Sequence, residues 1–310
     1  MHIYMHKIAG VTIQTESDVA IPYLEDQRFA AFRIEKRTPD VKQRIHQFDP
    51  HFAATHPPLS PVESTFLEQC HTPQTNLTRY MVFRAPEVRA RIHACLDNPQ
   101  QAYVKINGRG LVFYDFRTNE FDWFYHPAVR GYFSGPLAPG GFRNLMGSFF
   151  PNFDAVMIHG AATMQDGRAL VFLASDGGGK TTFVSSANGR PILSDDHVIL
   201  QQQDDHITVY STPLGRITSG QVQGQLGAFF LLEKGSDFNI TPVPSTDVFQ
   251  FIWNEHTHYW PILNKTLRLR TFDLLLAATG QVPTYRLRFS KDHVDWDAID
   301  ALWKSNGRMG

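Results

Sequence analysis

Apolar and polar positions alternate in short runs through residues 7–36, Ala30–Ile34 among them, and this predicts strands. The alternation is lost over residues 37–77, which are rich in Pro, His, Gln and Thr and contain Pro57-Pro58. That stretch predicts irregular chain with a short helix near Val62–Cys70. Alternation returns over residues 78–127 and predicts a β-meander with strands Arg79–Arg84, Ala102–Ile106, Gly110–Phe116 and Glu120–Tyr125. Asn107-Gly108 supplies a tight turn between two of them. Pro139–Gly141 then precedes an expected helix, Phe142–Phe149. The change of pattern near residue 150 predicts a β-rich N-terminal lobe over 1–150 and a second domain over 151–310.

The second half has a different grammar. Val156–Ile158 and Arg168–Ala174 read as strands with a turn at Gln165-Asp166-Gly167. A glycine-rich loop follows, then a short helix from Thr181 that ends near Asn188-Gly189. Pro191–Leu193, Val198–Gln202, Ile207–Tyr210 and Tyr285–Phe289 read as further strands, and Leu267–Ala278 and Trp296–Trp303 as helices. Strand, loop, helix, strand makes an α/β core around the glycine-rich loop.

Composition narrows the function classes. The chain has 310 residues, 42% hydrophobic and 19% charged, which is enough to bury ordinary cores. A formal net charge of −1 gives no electrostatic footprint for nucleic acid or membrane. Two cysteines, Cys70 and Cys95, are too few for a disulfide framework. The N-terminus lacks a signal-peptide apolar region, and apolar runs such as Ala169–Ala174 and Ala228–Leu232 are far too short to span a bilayer. The expectation is a cytoplasmic protein.

The chemistry concentrates in Ala174-Ser175-Asp176-Gly177-Gly178-Gly179-Lys180-Thr181-Thr182. Glycines let backbone N–H groups turn toward an anion with no Cβ in the way, and a helix N-terminus adds its positive dipole end. Lys180 is placed to reach the β and γ phosphates of ATP, and Thr181 to put its hydroxyl on Mg²⁺. The pattern G-x-x-x-x-G-K-[ST] is met except at its first glycine, where this chain has Ala174. Downstream, Asp195-Asp196 ends a short apolar strand only 15 residues after Lys180. One carboxylate there suits Mg²⁺ and the other the proton of an attacking hydroxyl. His159-Gly160 lies upstream of the loop strand.

Taken together, His159-Gly160, Ser175–Thr181 and Gly189 through Asp195-Asp196-His197-Val198 resemble the HPr kinase/phosphorylase family and its relatives. The resemblance covers about residues 155–212. The β-rich first lobe and the tail motif Val282-Pro283-x-Tyr285-x-Leu287-x-Phe289 are similar to the lasso-peptide precursor kinases. Asp176 lengthens the loop by one residue relative to the family pattern, and Leu214–Gly220 does not match the family's C-terminal signature. The resemblance implies a P-loop kinase core in which Lys180 and the loop hold phosphates and Thr181 helps hold Mg²⁺. It implies Asp195 as general base, Asp196 as the carboxylate on the metal side, and His159 as an aid to the base.

The function so implied is transfer of the γ-phosphoryl group of ATP to a Ser hydroxyl on a peptide or small protein. Two other readings remain open at this point. One is a phosphoenolpyruvate-carboxykinase-like enzyme, and the other a regulator that binds ATP and catalyses nothing. Arg216 is a candidate to neutralise phosphate charge, with a surface ion pair as its rival role. His51, His56, His256 and His258 read as solvated or packing histidines rather than as ligands of a metal site.

Overall fold

The computed structural model describes residues 1–47, 61, 98, 102–107, 110–125, 139–187, 189–255, 264–291 and 293–306. The chain divides into two compact units, Met1–Phe153 with Tyr259–Leu269, and Asp154–His258 with Arg270–Gly310. Both mix strands and helices.

The first unit opens with an antiparallel hairpin, β1 (His2–Ile8) and β2 (Val11–Ser17). Its two-residue turn is Ala9-Gly10, both at positive φ (49° and 78°), as a hairpin loop that follows the strand twist requires. Two single-turn helices follow, α1 (Pro22–Glu25) and α2 (Gln27–Ala30), the second capped by Asp26, which accepts from the Arg28 backbone N–H. Strands β3 (Val41–Gln47), β4 (Ala102–Asn107), β5 (Gly110–Asp115) and β6 (Glu120–Tyr125) complete a six-stranded sheet ordered β1-β2-β3-β6-β5-β4. The meander β4-β5-β6 is as expected, and it joins the N-terminal hairpin through two parallel pairings, β2 with β3 and β3 with β6.

Two expectations fail in this unit. Ala30–Ile34 is not a strand: Ala30 closes α2, and Arg33 forms only an isolated bridge to His6. The stretch read as irregular contains β3. Its outward side chains are polar, so it carries little hydrophobic signal. Lys42 pairs with Glu16 at 2.9 Å and Arg44 with Glu120 at 3.0 Å and Asp122 at 3.4 Å, while Val41, Gln43 and Ile45 are buried. The expected strand Arg79–Arg84, the helix Val62–Cys70, both cysteines, and Gly108 of the expected turn lie outside the described residues.

Helix α3 (Pro139–Phe149) begins three residues earlier than expected and runs on as a 3₁₀ turn, Phe150–Phe153. Phe142, Leu145, Met146 and Phe149 are fully buried, an i, i+3, i+4, i+7 stripe that packs this helix into the core. Phe142 meets Phe29 edge-on at 5.4 Å and Phe149 meets Phe121 at 6.2 Å.

The second unit carries β7 (Ala155–Ile158), β8 (Ala161–Gln165), β9 (Arg168–Leu173), helix α4 (Lys180–Ser185), β10 (Ile192–Ser194), β11 (Val198–Gln203) and β12 (His206–Tyr210). The long β13 (Gln223–Lys234), β14 (Asn239–Pro242), α5 (Ser245–Glu255), α6 (Lys265–Gln281, from Arg270 onward in this unit), β15 (Thr284–Phe289) and α7 (Trp296–Asn306) follow. The sheet runs β10-β8-β9-β13-β12-β11-β7. Strand β13 is parallel to β9, antiparallel to β12 over its first residues, and parallel to β15 over its last. One long strand thus belongs to two sets of partners, which curls the sheet. The β8–β9 turn is again a positive-φ pair, Asp166-Gly167.

The core under the glycine-rich loop is aromatic. Phe172 of β9, Phe183 of α4 and Phe289 of β15 are buried, with Phe183 4.8 Å from Phe172 and 5.0 Å from Phe289. Burying each such ring contributes about 1.5–3 kcal/mol. Helix α7 packs against this cluster through Trp296, Ile299, Leu302 and Trp303. Arg190 pairs with Asp300 at 2.7 Å and lies over the Trp296 ring, and Trp296 Nε1 donates to Ser186 Oγ at 3.0 Å. The end of α4 is therefore fixed.

Candidate functional site

Strand β9 has a run of buried residues, Ala169–Leu173, and delivers the chain to Ser175. Ser175, Asp176 and Gly177 are exposed, as are Thr181 and Thr182 in the first turn of α4. The three glycines are not equivalent. Gly177 has φ +71 and Gly179 φ +100, both in the region that favours glycine. At Gly178 a Cβ would sit 2.6 Å from Ala174 Cβ and 2.8 Å from the Ser175 carbonyl, while Gly177 faces open space. The Gly178 N–H donates to the Ser175 carbonyl at 2.8 Å, closing the turn. Gly179 leaves room for Phe289, whose Cζ would lie 2.9 Å from an added Cβ.

Lys180 is the first residue of α4, one earlier than the sequence pattern suggested, and is only 6% exposed. Its Nζ donates to the Ala174 carbonyl at 2.6 Å. A buried ammonium held by the loop's own carbonyl is unusual for lysine. Burial lowers its pKa, and the charges of Asp176 and Asp196 oppose that shift.

The other two segments meet here. Strand β7 ends at Ile158, and His159 follows it, mostly buried. Strand β10 ends at Ser194, whose hydroxyl accepts from the backbone N–H groups of Asp196 and His197, both at 3.2 Å, and so fixes the turn that aims the acidic pair. Asp196 Oδ1 lies 2.9 Å from His159 Nε2, and its Oδ2 lies 2.8 Å from His197 Nδ1. A carboxylate only accepts, so His159 presents Nε2–H to it; the His197 Nδ1 contact is short but not aligned as a hydrogen bond, and it acts on the carboxylate through charge. Burial of Asp196 favours the neutral acid, but the contacts and charges of the two histidines outweigh it and hold the carboxyl well below the usual range. The other ring nitrogen of His159, Nδ1, lies 3.6 Å from Asp176 Oδ1 on the loop.

Asp195 has a different setting. It is 2% exposed, and its Oδ1 accepts from the backbone N–H groups of Arg216 at 2.7 Å and Ile217 at 3.0 Å. A Cβ on Gly215 would run into the same oxygen. Thr212 Oγ1 donates to the His197 carbonyl at 2.7 Å, and Thr218 Oγ1 to the Leu193 carbonyl at 3.0 Å. The segment 212–218 is thus laced along the acidic turn, with the Arg216 side chain exposed.

The structure brings together His159, the Ser175–Thr182 loop, Lys180 and Asp196. It gives Asp195 a backbone-anchoring position. In the sequence His197 stands out only as part of the stretch Asp195-Asp196-His197-Val198. Its signal is positional: it directly follows Asp196 at the start of a strand. Among the described residues, no group of three or more His, Cys, Asp or Glu side chains is arranged to hold a metal ion. Mg²⁺ in a phosphate site does not need one, because it keeps water and phosphate oxygens as ligands. The exposed Thr181 hydroxyl fits such an ion. The four histidines read as solvated or packing, His51, His56, His256 and His258, lie outside the described residues. Among the described residues, no helix is long and apolar enough to cross a membrane.

No protein-family model and no curated protein matches the chain. Among solved structures, it is similar to the Hpr(Ser) kinase/phosphatase from Coxiella burnetii at 10% identity and a TM-score of 0.27, over 49% of this chain and 96% of that one.

Proposed function

We propose that the second unit binds ATP at Ser175–Thr182 and transfers its γ-phosphoryl group to a Ser hydroxyl of a peptide or small protein. The observation that carries this reading is the buried Lys180, held on the loop's own Ala174 carbonyl and within the fields of Asp176 and Asp196. A lysine costs free energy when buried, and an arriving triphosphate offers its ammonium a better partner than a carbonyl. The glycine geometry leaves the loop backbone free of side chains where phosphate oxygens would lie. Thr181 would hold Mg²⁺, which when bound neutralises charge on the phosphates.

For the proton, we assign His159 as acceptor at Nδ1, with Asp196 holding its Nε2–H. Nδ1 is the nitrogen that faces the loop, at Asp176. Both Asp196 oxygens are engaged by histidines, which favours an orienting role over a metal-side one. The Asp195 carboxylate is buried and accepts two backbone N–H bonds, which favours anchoring of 212–218 over general base. A Ser hydroxyl cannot be deprotonated in advance at neutral pH. His159 takes its proton as the loose transition state develops, while Lys180 carries charge at the phosphates.

The test is direct. The full chain is incubated with γ-labelled ATP, Mg²⁺ and a broad library of Ser-containing peptides. The expected result is label on Ser peptides, absent with Lys180→Ala. Label only on free sugars or amino acids would overturn the acceptor, and ATP binding without turnover would leave a regulator.

A further inference from the structure

We infer that His197 is a positioning residue of this site. It fixes Asp196 in the orientation that faces His159, and its ring is the plate on which the His159 ring rests. This inference deepens the proposed function and rests on it only for the catalytic consequence.

The geometry is specific. His197 is 1% exposed, and its ring stacks on His159 at 4.9 Å between centroids with 12° between planes. Its Nδ1 lies 2.8 Å from Asp196 Oδ2, on the carboxylate oxygen that His159 does not use. One side chain therefore touches both members of the His159–Asp196 pair. The backbone of His197 is held on both sides of its Cα. Its N–H donates to Ser194 Oγ, and its carbonyl accepts from Thr212 Oγ1. On a backbone so fixed, a ring that is buried and stacked has little room to turn, and the groups it contacts inherit that order. A free carboxylate side chain rotates readily about χ2. With Oδ2 held against His197 Nδ1 by this charged contact, Oδ1 is left in one place, and His159 is bound to one tautomer. Partners that orient metal-ligating histidines and carboxylates are worth about 10–100-fold in activity, and the same scale is expected where one side chain orients a His–Asp pair.

A merely structural role for His197 predicts loss of fold when it is replaced and no selective effect on His159. A positioning role predicts a selective effect that depends on the Nδ1–H placed against Asp196 Oδ2. Two variants separate these. His197→Phe keeps an aromatic ring for stacking and loses the donor, whereas His197→Asn loses the ring and keeps an N–H near the Nδ1 position. The full-length chain, labelled with ¹⁵N-histidine, gives a readout that needs no nucleotide. The His159 imidazole signal, assigned by its disappearance in His159→Gln, reports the tautomer and the protection of its Nε2–H. The expected result is a protected Nε2–H in wild type, lost in His197→Phe and kept in His197→Asn, with thermal unfolding of both variants still cooperative. ATP turnover in water as acceptor should fall about 10–100-fold in His197→Phe and recover in part in His197→Asn, at unchanged ATP affinity. An unaltered His159 signal in His197→Phe would overturn the inference, as would equal loss in both variants. If wild type neither binds nor turns over ATP while the His159 signal still depends on the donor, the positioning stands and the nucleotide reading fails.

Discussion

Asp196 stands between two histidines, 2.9 Å from His159 Nε2 and 2.8 Å from His197 Nδ1, while its neighbour Asp195 turns away to accept the backbone N–H groups of Arg216 and Ile217. Adjacent in sequence, the two carboxylates point to different partners and have different chemistry. One orients a ring that faces the glycine loop, and the other staples a loop to the sheet.

Separate outcomes follow for the two isosteric variants. Asp196→Asn removes the charge that orients His159, and phosphoryl transfer should drop by about 10²–10⁴ with ATP still bound. Asp195→Asn weakens two charge-assisted hydrogen bonds and should cost about 1–3 kcal/mol of stability, seen as a lower Tm. Equal effects of both variants on transfer, with no difference in Tm, would contradict the assignment.

The glycines should differ as much as the aspartates. Gly178→Ala drives a methyl onto Ala174 Cβ and the Ser175 carbonyl, so the loop must open. Gly177→Ala meets open space and suffers only its positive φ, a cost of about 1–2 kcal/mol. Nucleotide binding should therefore be lost in Gly178→Ala and only weakened in Gly177→Ala. The reverse order, read by titration of ATP into each variant, would show that the loop closes differently.

Asp176 places a carboxylate at the loop tip, 93% exposed and 3.6 Å from His159. Its charge repels an incoming triphosphate, and solvent screens most of that repulsion. Asp176→Asn should tighten ATP binding by about 2–5-fold at low salt and by less at high salt. Weaker binding in the variant would mean that Asp176 contacts the ligand favourably.

His6 supplies a test of the first unit. It is fully buried between Phe29 and Phe142, and its two ring nitrogens have no hydrogen-bond partner. Burial, with the charge of Arg33 adding to it, pushes its pKa down to about 4. Between the ordinary histidine value of 6.5 and about 4 the unfolded chain binds a proton that the folded one refuses. Stability should thus decline as pH falls through that window, by roughly 3 kcal/mol in all. His6→Phe removes the buried polar atoms and should flatten this dependence in urea unfolding curves. A wild-type profile flat from pH 7 to pH 4 would contradict the setting of His6.

Much of the second unit was legible because its signals are local. A run of buried residues in β9, three glycines and a lysine define strand, loop and helix within a residue of where they lie. Strand β8 is hard to read from sequence because Ala161 and Ala162 are small and Thr163 is polar, so its buried residues have little hydrophobic weight. Strand β3 was missed for the opposite reason, since its exposed face is a row of charges whose partners on β2 and β6 are distant in sequence. Residues Ala30–Ile34 alternate as a strand would, but the Asp26 cap starts a helical turn first. The site was half legible: residue types and spacing gathered His159, Lys180 and the acidic pair. Which aspartate faces His159 depends on the Ser194 hydroxyl and the 212–218 segment, and these are set by tertiary contacts.

The central claim is that Lys180 and its loop receive the phosphates of ATP, and the most direct measurement is an equilibrium titration of ATP with Mg²⁺ into the full chain and into Lys180→Ala, with the fold of the variant checked by its thermal transition. The account predicts saturable binding to one site in wild type and at least about tenfold weaker binding in the folded variant, a loss of about 1.4 kcal/mol or more. Equal affinity in the two proteins, or no saturable binding by wild type, would contradict it.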